Sequence, residues 1–168
     1  MILQLKPLFA GEIERLEIDA KLDLSSFEFH GTCPLSKPVE VKGAIVVRAE
    51  MLWLNATASY HFEGVCDRCL NPVHQEYTTE MEHILVSSLN GEETDELVLV
   101  ENDELELEPL VETDIFLDLP QKTLCKSDCR GLCQHCGKNL NDGLCGCHEK
   151  KVDPRMAVLA SLLTEDTE

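Results

Sequence analysis

The sequence predicts an α+β protein that is mainly antiparallel β-sheet and ends in a cysteine-rich, zinc-binding segment. Two observations predict this class. Apolar and polar residues alternate through much of the chain up to residue 86, and six of the nine cysteines fall within residues 125–147. Alternation is typical of strands with one face buried and the other in water. We expect these strands to form a meander, as a partly closed barrel-like sheet with short helices beside it.

The predicted domains follow this division. A mostly β domain takes residues 1–120, and the cysteine-rich segment with a final helix takes 121–168. The length of 168 residues suits one ordinary domain with a small appendage. The final helix begins at Asp153-Pro154, as N-cap and first residue. Its apolar side is formed by Met156, Val158, Leu159, Leu162 and Leu163.

The first predicted strand lies in residues 12–24, where apolar side chains alternate with charged ones. The apolar positions are Leu16, Ile18, Ala20, Leu22 and Leu24. This pattern predicts one half-buried strand or a bent pair of strands. Gly31, Pro34 and Pro38 then mark a loop.

Three further alternating runs occupy residues 39–47, 52–62 and 77–85. We expect Cys66-Asp-Arg-Cys69 to form the turn between the second and third of these strands. His61, His74 and His83 lie within or beside the strands. We assign them no role, because an isolated strand histidine is more often a packing or solvated residue than a ligand.

Residues 87–120 contain twelve Asp or Glu and no Lys or Arg. They predict a solvated acidic loop around Gly91, a strand at 97–100 and a helix at 109–118 that begins with Pro109. Pro120 ends the helix, whose buried stripe consists of Leu110, Val111, Ile115 and Leu119. The acids are interpreted as a solvated face or, alternatively, as a surface for a basic partner such as a ribosomal protein.

The cysteine-rich segment predicts a structural zinc site. Cys133-x2-Cys136-Gly137 has the spacing with which two thiolates of one turn reach a single ion, and a glycine there can adopt a positive φ. The turn at 141–143 then delivers Cys145 and Cys147 as the second pair. Disulfides would need an oxidising compartment, and a redox dithiol would usually sit in an α/β pattern that is missing here.

The ligand set leaves alternatives open. Two more pairs, Cys125-x3-Cys129 and Cys66-x2-Cys69, are present. The eight paired cysteines could fill two sites. Alternatively, Cys66 and Cys69 could complete one site with Cys133 and Cys136, the pair that we call the knuckle. His135 and His148 are second-choice ligands. Cys33 has no near partner and is expected to be a plain thiol.

The formal net charge of −18 argues against broad, phosphate-driven binding of nucleic acid. Residues 121–155 reverse the balance, with seven basic and four acidic side chains. If the chain contacts RNA or another partner, we expect the contact here. The alternative is that these lysines only keep a small exposed module soluble. The candidate residues are Lys126, Arg130 and Lys138, together with Arg68 of the upstream cysteine turn.

Several function classes lack their sequence signals. We find no secretory signal, no apolar run long enough for a membrane span, no phosphate-binding loop, no nucleophile elbow and no zinc-protease motif. The sequence predicts a cytoplasmic protein without catalytic residues, small-molecule substrate or membrane partner. The alternative to a contact with RNA is a thiol-based zinc or redox sensor, or a zinc-ribbon adaptor for other proteins.

The combined motifs resemble those of the YceD family of bacteria and plastids. They are Cys66-Asp-Arg-Cys69-Leu70, Cys125-x3-Cys129-x-Gly131-Leu132-Cys133-x2-Cys136-Gly137-x-Asn139-Leu140-Asn141, Cys145-x-Cys147 and Asp153-Pro154-Arg155-x-Ala157-Val158-Leu159. The resemblance covers roughly residues 10–163. It implies a non-enzymatic, cytoplasmic bacterial factor for the accumulation or processing of 23S ribosomal RNA, and hence for large-subunit assembly. The implied partner is large-subunit rRNA, a pre-ribosomal particle or a basic ribosomal protein, and the implied cofactor is one or two structural zinc ions.

Overall fold

Four long antiparallel strands form the centre of the fold, as the alternation predicts. They are β2 (Arg15–Leu22), β3 (Val39–Arg48), β4 (Met51–Val65) and β5 (Pro72–Val86). Consecutive strands pair with each other. The structure is a computed structural model and describes residues 1–49, 51–87 and 97–147. The predicted final helix and His148 lie outside these residues.

A short fifth strand makes the sheet mixed, which corrects the expectation of an antiparallel meander. β6 (Leu97–Leu99) runs parallel to β5, with Leu97 opposite Ile84. The described sheet therefore has the order β2-β3-β4-β5-β6. An apolar run predicts a strand but does not reveal its direction, because side chains alternate in the same way in both kinds of pair.

The remaining elements cover one face of the sheet. β1 (Ile2–Gln4) pairs antiparallel with β7 (Glu104–Glu106), and α1 (Lys6–Phe9) is a single helical turn. α2 (Leu107–Asp118) starts two residues earlier than predicted. Pro109 is tolerated at its third position because the first N–H groups of a helix have no helical partner.

The hydrophobic core lies between the inner face of the curled sheet and these elements. Val111 and Ile115 of α2 are completely buried, as the predicted stripe requires. Fully buried side chains from the strands include Val41, Ile45 and Leu54. Gly43 allows β3 and β4 to approach closely, since a Cβ at this position would lie 2.2 Å from the backbone oxygen of Asn55.

Two acidic side chains of α2 are not merely solvated, contrary to the simplest interpretation of residues 87–120. The carboxylate of Asp114 lies 2.7 Å from Nε2 of His83, and the Thr79 hydroxyl donates to Asp118 at 2.8 Å. Both contacts tie α2 to β5. Hydrophobic packing of the helix turns one of its polar edges toward the sheet, and the local charge pattern does not show this.

The β4–β5 hairpin extends beyond its neighbour β3. The pairing of β3 with β4 ends at Ser59, whereas β4 and β5 remain paired as far as Val65 and Pro72. The turn at 66–69 therefore stands at the tip of this hairpin, as predicted. This position brings it to the segment that follows α2. The division at residue 120 into two domains stays a prediction.

Candidate metal centre

The tip of the β4–β5 hairpin presents two buried thiols. The N–H of Cys66 donates to the carbonyl of Asn71 at 2.8 Å, and the N–H of Leu70 donates to the carbonyl of Cys66 at 2.9 Å. These bonds close a tight turn, and Leu70 takes a φ of +60° within it. Cys66 is fully buried and Cys69 nearly so. The turn therefore aims both sulfurs into the protein, away from solvent.

The segment after α2 is attached to this turn by reciprocal hydrogen bonds. The N–H of Asp67 donates to the carbonyl of Thr123 at 2.9 Å, and the N–H of Thr123 donates to the Asp67 carboxylate at 2.7 Å. The Arg68 guanidinium donates to the carbonyl of Cys129 at 2.8 Å. The N–H of Leu132 donates back to the carbonyl of Arg68 at 3.1 Å. This pairing fixes the segment beside the hairpin tip.

The result is a first group of four thiols, the hairpin tetrad, formed by Cys66, Cys69, Cys125 and Cys129. All four sulfurs lie within 4.8 Å of one another. The Cys66 and Cys129 sulfurs are 3.8 Å apart, and those of Cys69 and Cys125 are 3.5 Å apart. Four thiolates at about 2.3 Å from a tetrahedral ion would be separated by about 3.8 Å. The residues therefore fit a four-coordinate metal ion.

A second group is built around the predicted knuckle. The N–H of Gly137 donates to the carbonyl of Cys133 at 2.9 Å, and the N–H of Cys133 donates to the carbonyl of Lys138 at 2.8 Å. Gly137 has a φ of +72°, as predicted for the glycine that closes this turn. Cys133 and Cys136 consequently point to the same side.

A short 3₁₀ turn, Leu140–Asp142, returns the chain to the knuckle. The side chain of Asn139 caps it by accepting from the N–H of Asn141 at 3.0 Å. Gly143 then takes a φ of +123°, which allows the sharp exit of the chain. The predicted turn at 141–143 is confirmed.

The returning chain completes the loop tetrad, formed by Cys133, Cys136, Cys145 and Cys147. Its sulfurs also lie within 4.8 Å of one another, and those of Cys133 and Cys145 are 3.4 Å apart. Cys136 and Cys147 are exposed. The two tetrads thus offer the same donors in different surroundings, one in the interior and one at the surface.

Backbone N–H groups favour the thiolate form of Cys66 in the hairpin tetrad and of Cys133 in the loop tetrad. Burial disfavours the charged form of Cys66, but N–H groups including those of Cys125 and Arg68 outweigh it and lower the pKa of this thiol to about 6. The N–H groups of Cys136 and His135 lower the pKa of the Cys133 thiol to about 6. Each tetrad therefore contains a sulfur that readily becomes a metal ligand.

Crowding has the opposite effect on another thiol of each tetrad. Burial and the neighbouring thiols of Cys69 and Cys129 raise the pKa of Cys125 to about 12. The Cys136 thiol and burial raise the pKa of Cys147 to about 12. Neighbouring thiolates repel one another, and a divalent cation at the centre of each group would relieve this repulsion.

Asn141 connects the two tetrads and was not recognised in the sequence. Its side-chain amide donates to the sulfur of Cys129 at 3.3 Å, although Asn141 belongs to the turn of the loop tetrad. Its side-chain oxygen accepts from the N–H of Arg130 at 3.0 Å. The only signal in the sequence was its place in a turn motif, which gives no indication of a long-range contact.

The structure shows how the cysteines are grouped. Cys66 and Cys69 lie with Cys125 and Cys129 and not with Cys133 and Cys136, because reciprocal hydrogen bonds hold the hairpin tip against the segment after α2. All nine cysteines are free thiols, and Cys33 is exposed. The remaining eight form two tetrads that could hold metal ions.

The predicted cationic contacts surround the two tetrads. Lys126, Arg130, Lys138 and Arg68 are all exposed residues. The Lys126 ammonium lies 3.9 Å from Asp128, and the Lys138 ammonium donates to the carbonyl of Leu144 at 3.0 Å. Together with the bond from Arg68 to the backbone, these contacts show that three of the four cations also support the local structure.

The family model described as "Large ribosomal RNA subunit accumulation protein YceD" matches residues 54–163. No solved structure matches the chain. Among the residues that the structure describes, no helix is long and apolar enough to cross a membrane.

Individual relatives are similar to this chain over much of its length. The uncharacterized protein YlbN of Bacillus subtilis is 27% identical over 157 residues, which cover 85% of this chain and 91% of YlbN. The uncharacterized protein Rv2926c of Mycobacterium tuberculosis is 30% identical over 124 residues, which cover 71% of this chain and 59% of that protein. The chain thus spans less than two thirds of the mycobacterial relative.

The family match extends over well more than half of the chain. It begins within β4 and includes every cysteine of both tetrads as well as the four predicted cationic contacts. The resemblance inferred from the cysteine motifs is therefore confirmed. The chain belongs to the YceD family.

Proposed function

We propose that this chain is a non-enzymatic, cytoplasmic bacterial factor that promotes the accumulation and processing of 23S ribosomal RNA during large-subunit assembly. In this proposal each cysteine tetrad holds one structural zinc ion. The segment at 121–147 contacts the RNA of the assembling particle. The family description names large ribosomal RNA accumulation, and it is the basis for this choice of process.

One observation supports the proposal that residues 121–147 contact the RNA. In a chain with a net charge of −18, exposed cations gather around the two tetrads. Arg130 follows Cys129 directly, and Lys138 follows the knuckle glycine. Cations held at defined positions on a stiff loop can contact phosphates without the entropy cost of ordering a flexible segment.

Zinc is the ion that best fits the donors. Four thiolates at tetrahedral spacing suit zinc, and such closed sites serve structure, because they leave no coordination position for a substrate. The hairpin tetrad would hold the segment after α2 against the β4–β5 tip. The loop tetrad would fix the 3₁₀ turn against the knuckle. The absence of enzymatic activity is part of the proposal.

The acidic residues have a separate role in this proposal. Glu101, Glu104, Glu106 and Glu108 are exposed on or near β7 and the start of α2. Such a surface attracts a basic ribosomal protein and repels RNA, so it would restrict RNA contacts to the cysteine-rich side.

The test is cross-linking of the tagged chain in a bacterial lysate, followed by sedimentation and sequencing of the bound RNA. We expect comigration with precursors of the large subunit and cross-links to 23S RNA. The triple variant Lys126→Glu, Arg130→Glu and Lys138→Glu should lose these cross-links. Because Lys126 and Lys138 also make local contacts, zinc content must be measured and shown to be unchanged.

A matched control separates a local contact from the effect of net charge. Lys6→Glu, Lys37→Glu and Lys42→Glu change the charge equally at exposed positions outside residues 121–147. The control should retain the cross-links. Equal loss in both triple variants, or no loss in either, would overturn the proposed RNA contact.

A second function, a thiol-based redox sensor, is favoured by one observation. Cys136 and Cys147 of the loop tetrad are exposed, so an oxidant can reach them. Mild peroxide at neutral pH would then release zinc from this tetrad within minutes. A loop tetrad that keeps its zinc until the protein is denatured would exclude a sensor of this kind.

A further inference from the structure

A third group of potential ligands lies on the outer face of the β4–β5 hairpin. His61 and Glu63 are two residues apart on β4, so their side chains leave the same face of the strand. His74 on β5 is paired directly with Glu63. Cross-strand neighbours on one face approach to about 5 Å between their Cβ atoms. The register of the hairpin therefore gathers two imidazoles around one carboxylate.

The distances show that the three side chains converge. Nε2 of His61 lies 3.5 Å from Oε1 of Glu63, and Nδ1 of His74 lies 4.0 Å from the same oxygen. One potential ligand atom from each residue lies within 4.8 Å of the others. Ligand atoms about 2.1 Å from a shared ion are separated by about 3.0–3.4 Å, so small side-chain rotations would bring all three into range.

The two rings lie side by side, and each has one nitrogen near the same carboxylate oxygen of Glu63. The two imidazoles are nearly parallel, with centroids 6.0 Å apart and an angle of 18° between their planes. Nδ1 of His61 is buried and has no hydrogen-bond partner among the described residues. Nε2 is therefore the nitrogen of this ring that faces Glu63. Glu76 is paired with His61 on the same face, but it does not belong to the converging group.

We propose that His61, Glu63 and His74 bind a divalent transition-metal ion of the borderline class, such as Zn²⁺, Co²⁺ or Ni²⁺. Two imidazoles and one carboxylate are a donor set that these ions accept, and they leave coordination positions for water or an external ligand. The site differs from both tetrads in its donors and in its openness. It goes beyond the proposed function and does not depend on it.

The exposure of the ligands indicates reversible binding. The side chains of His61 and Glu63 are 21% and 38% exposed, and that of His74 is 59% exposed. An ion at this position would exchange with solvent more readily than one in the hairpin tetrad. Because the ligands project outward from an extended hairpin, their replacement should not disturb the buried core.

The experiment is a Co²⁺ titration of the full chain with both tetrads loaded with zinc. Co²⁺ is chosen because it shifts nearby proton resonances and gives a charge-transfer absorption band only when thiolates bind it. We expect about one equivalent of Co²⁺ to bind, with shifted ring protons of His61 and His74 and without a thiolate band. Binding by His74→Ala should be about tenfold weaker or worse, since loss of an immediate ligand costs at least as much as loss of its supporting partner.

His30→Ala is the matched control, because His30 is an exposed histidine that does not belong to this group. It should bind Co²⁺ as the unaltered chain does. Absence of saturable binding would overturn the proposal. So would equal affinities of His74→Ala and His30→Ala, or a thiolate band that accounts for all of the bound cobalt. None of these results would affect the proposed RNA contact.

Discussion

The hairpin tetrad and the loop tetrad have the same four donors, yet they differ in what they connect. The hairpin tetrad joins the tip at 66–69 to residues 125–129, across more than fifty residues of chain. The loop tetrad joins residues that all lie within 133–147. A cross-link that closes a long loop removes more conformational freedom from the unfolded chain than one that closes a short loop.

The two tetrads also differ in how deeply they are buried. Cys66, Cys69 and Cys129 are buried and pack with Val73, Leu124 and Leu132. Two cysteines of the loop tetrad are exposed. We infer that metal binding at the hairpin tetrad is coupled to the stability of the sheet. Binding at the loop tetrad orders a short local turn, which contacts the hairpin tetrad through the side chain of Asn141. The comparison suggests one stable structural site and one exchangeable site.

We expect the largest loss of stability from Cys66→Ser. Loss of this ligand should release the ion of the hairpin tetrad and detach residues 121–129 from the hairpin tip. The free energy of unfolding should fall by about 2–5 kcal/mol, the range typical of a lost cross-link. Urea unfolding followed by the fluorescence of Trp53 on β4 would measure it. An unfolding curve like that of the unaltered chain would contradict the structural role of this tetrad.

We expect an intermediate loss of stability from Asn141→Ala. The variant removes the hydrogen bond to the Cys129 sulfur and the acceptor for the Arg130 N–H. We expect a loss of about 1–2 kcal/mol in the same urea experiment. Gln134→Ala, an exposed position in the same loop, is the control and should have no measurable effect. Equal curves for both variants would show that the two tetrads are independent.

The smallest effect on the sheet is expected from Cys136→Ser. The variant should lose one zinc ion per chain, yet the transition reported by Trp53 should remain close to that of the unaltered protein. Its ligand is exposed, and the tetrad closes only a short local loop. Destabilisation as large as that of Cys66→Ser would abolish the distinction between the two sites.

Much of the fold and half of the candidate site were predictable from the sequence. The strands followed from alternation, because one buried face imposes a period of two. The knuckle at 133–136 followed from local spacing and from Gly137, whose positive φ was confirmed. The early start of α2 and the parallel direction of β6 did not follow, since they depend on packing rather than on local pattern.

Long-range contacts account for what the sequence did not reveal. The sequence left open whether Cys66 and Cys69 join Cys125 and Cys129, because the answer depends on hydrogen bonds across the hairpin tip. The convergence of His61 and His74 depends on the register of β4 and β5. Each histidine alone resembles any other strand histidine, and the group becomes visible only when the strands are paired.

The most direct test of the two-site account is timed chelation of the purified chain followed by native mass spectrometry. Excess zinc must first be removed by desalting, so that only tightly bound ions are counted. The account predicts two zinc ions at the start, with one removed rapidly and the other retained for as long as the sheet stays folded. In Cys136→Ser, only the retained ion should be present. Loss of both ions at the same rate, or two ions still bound in Cys136→Ser, would contradict it.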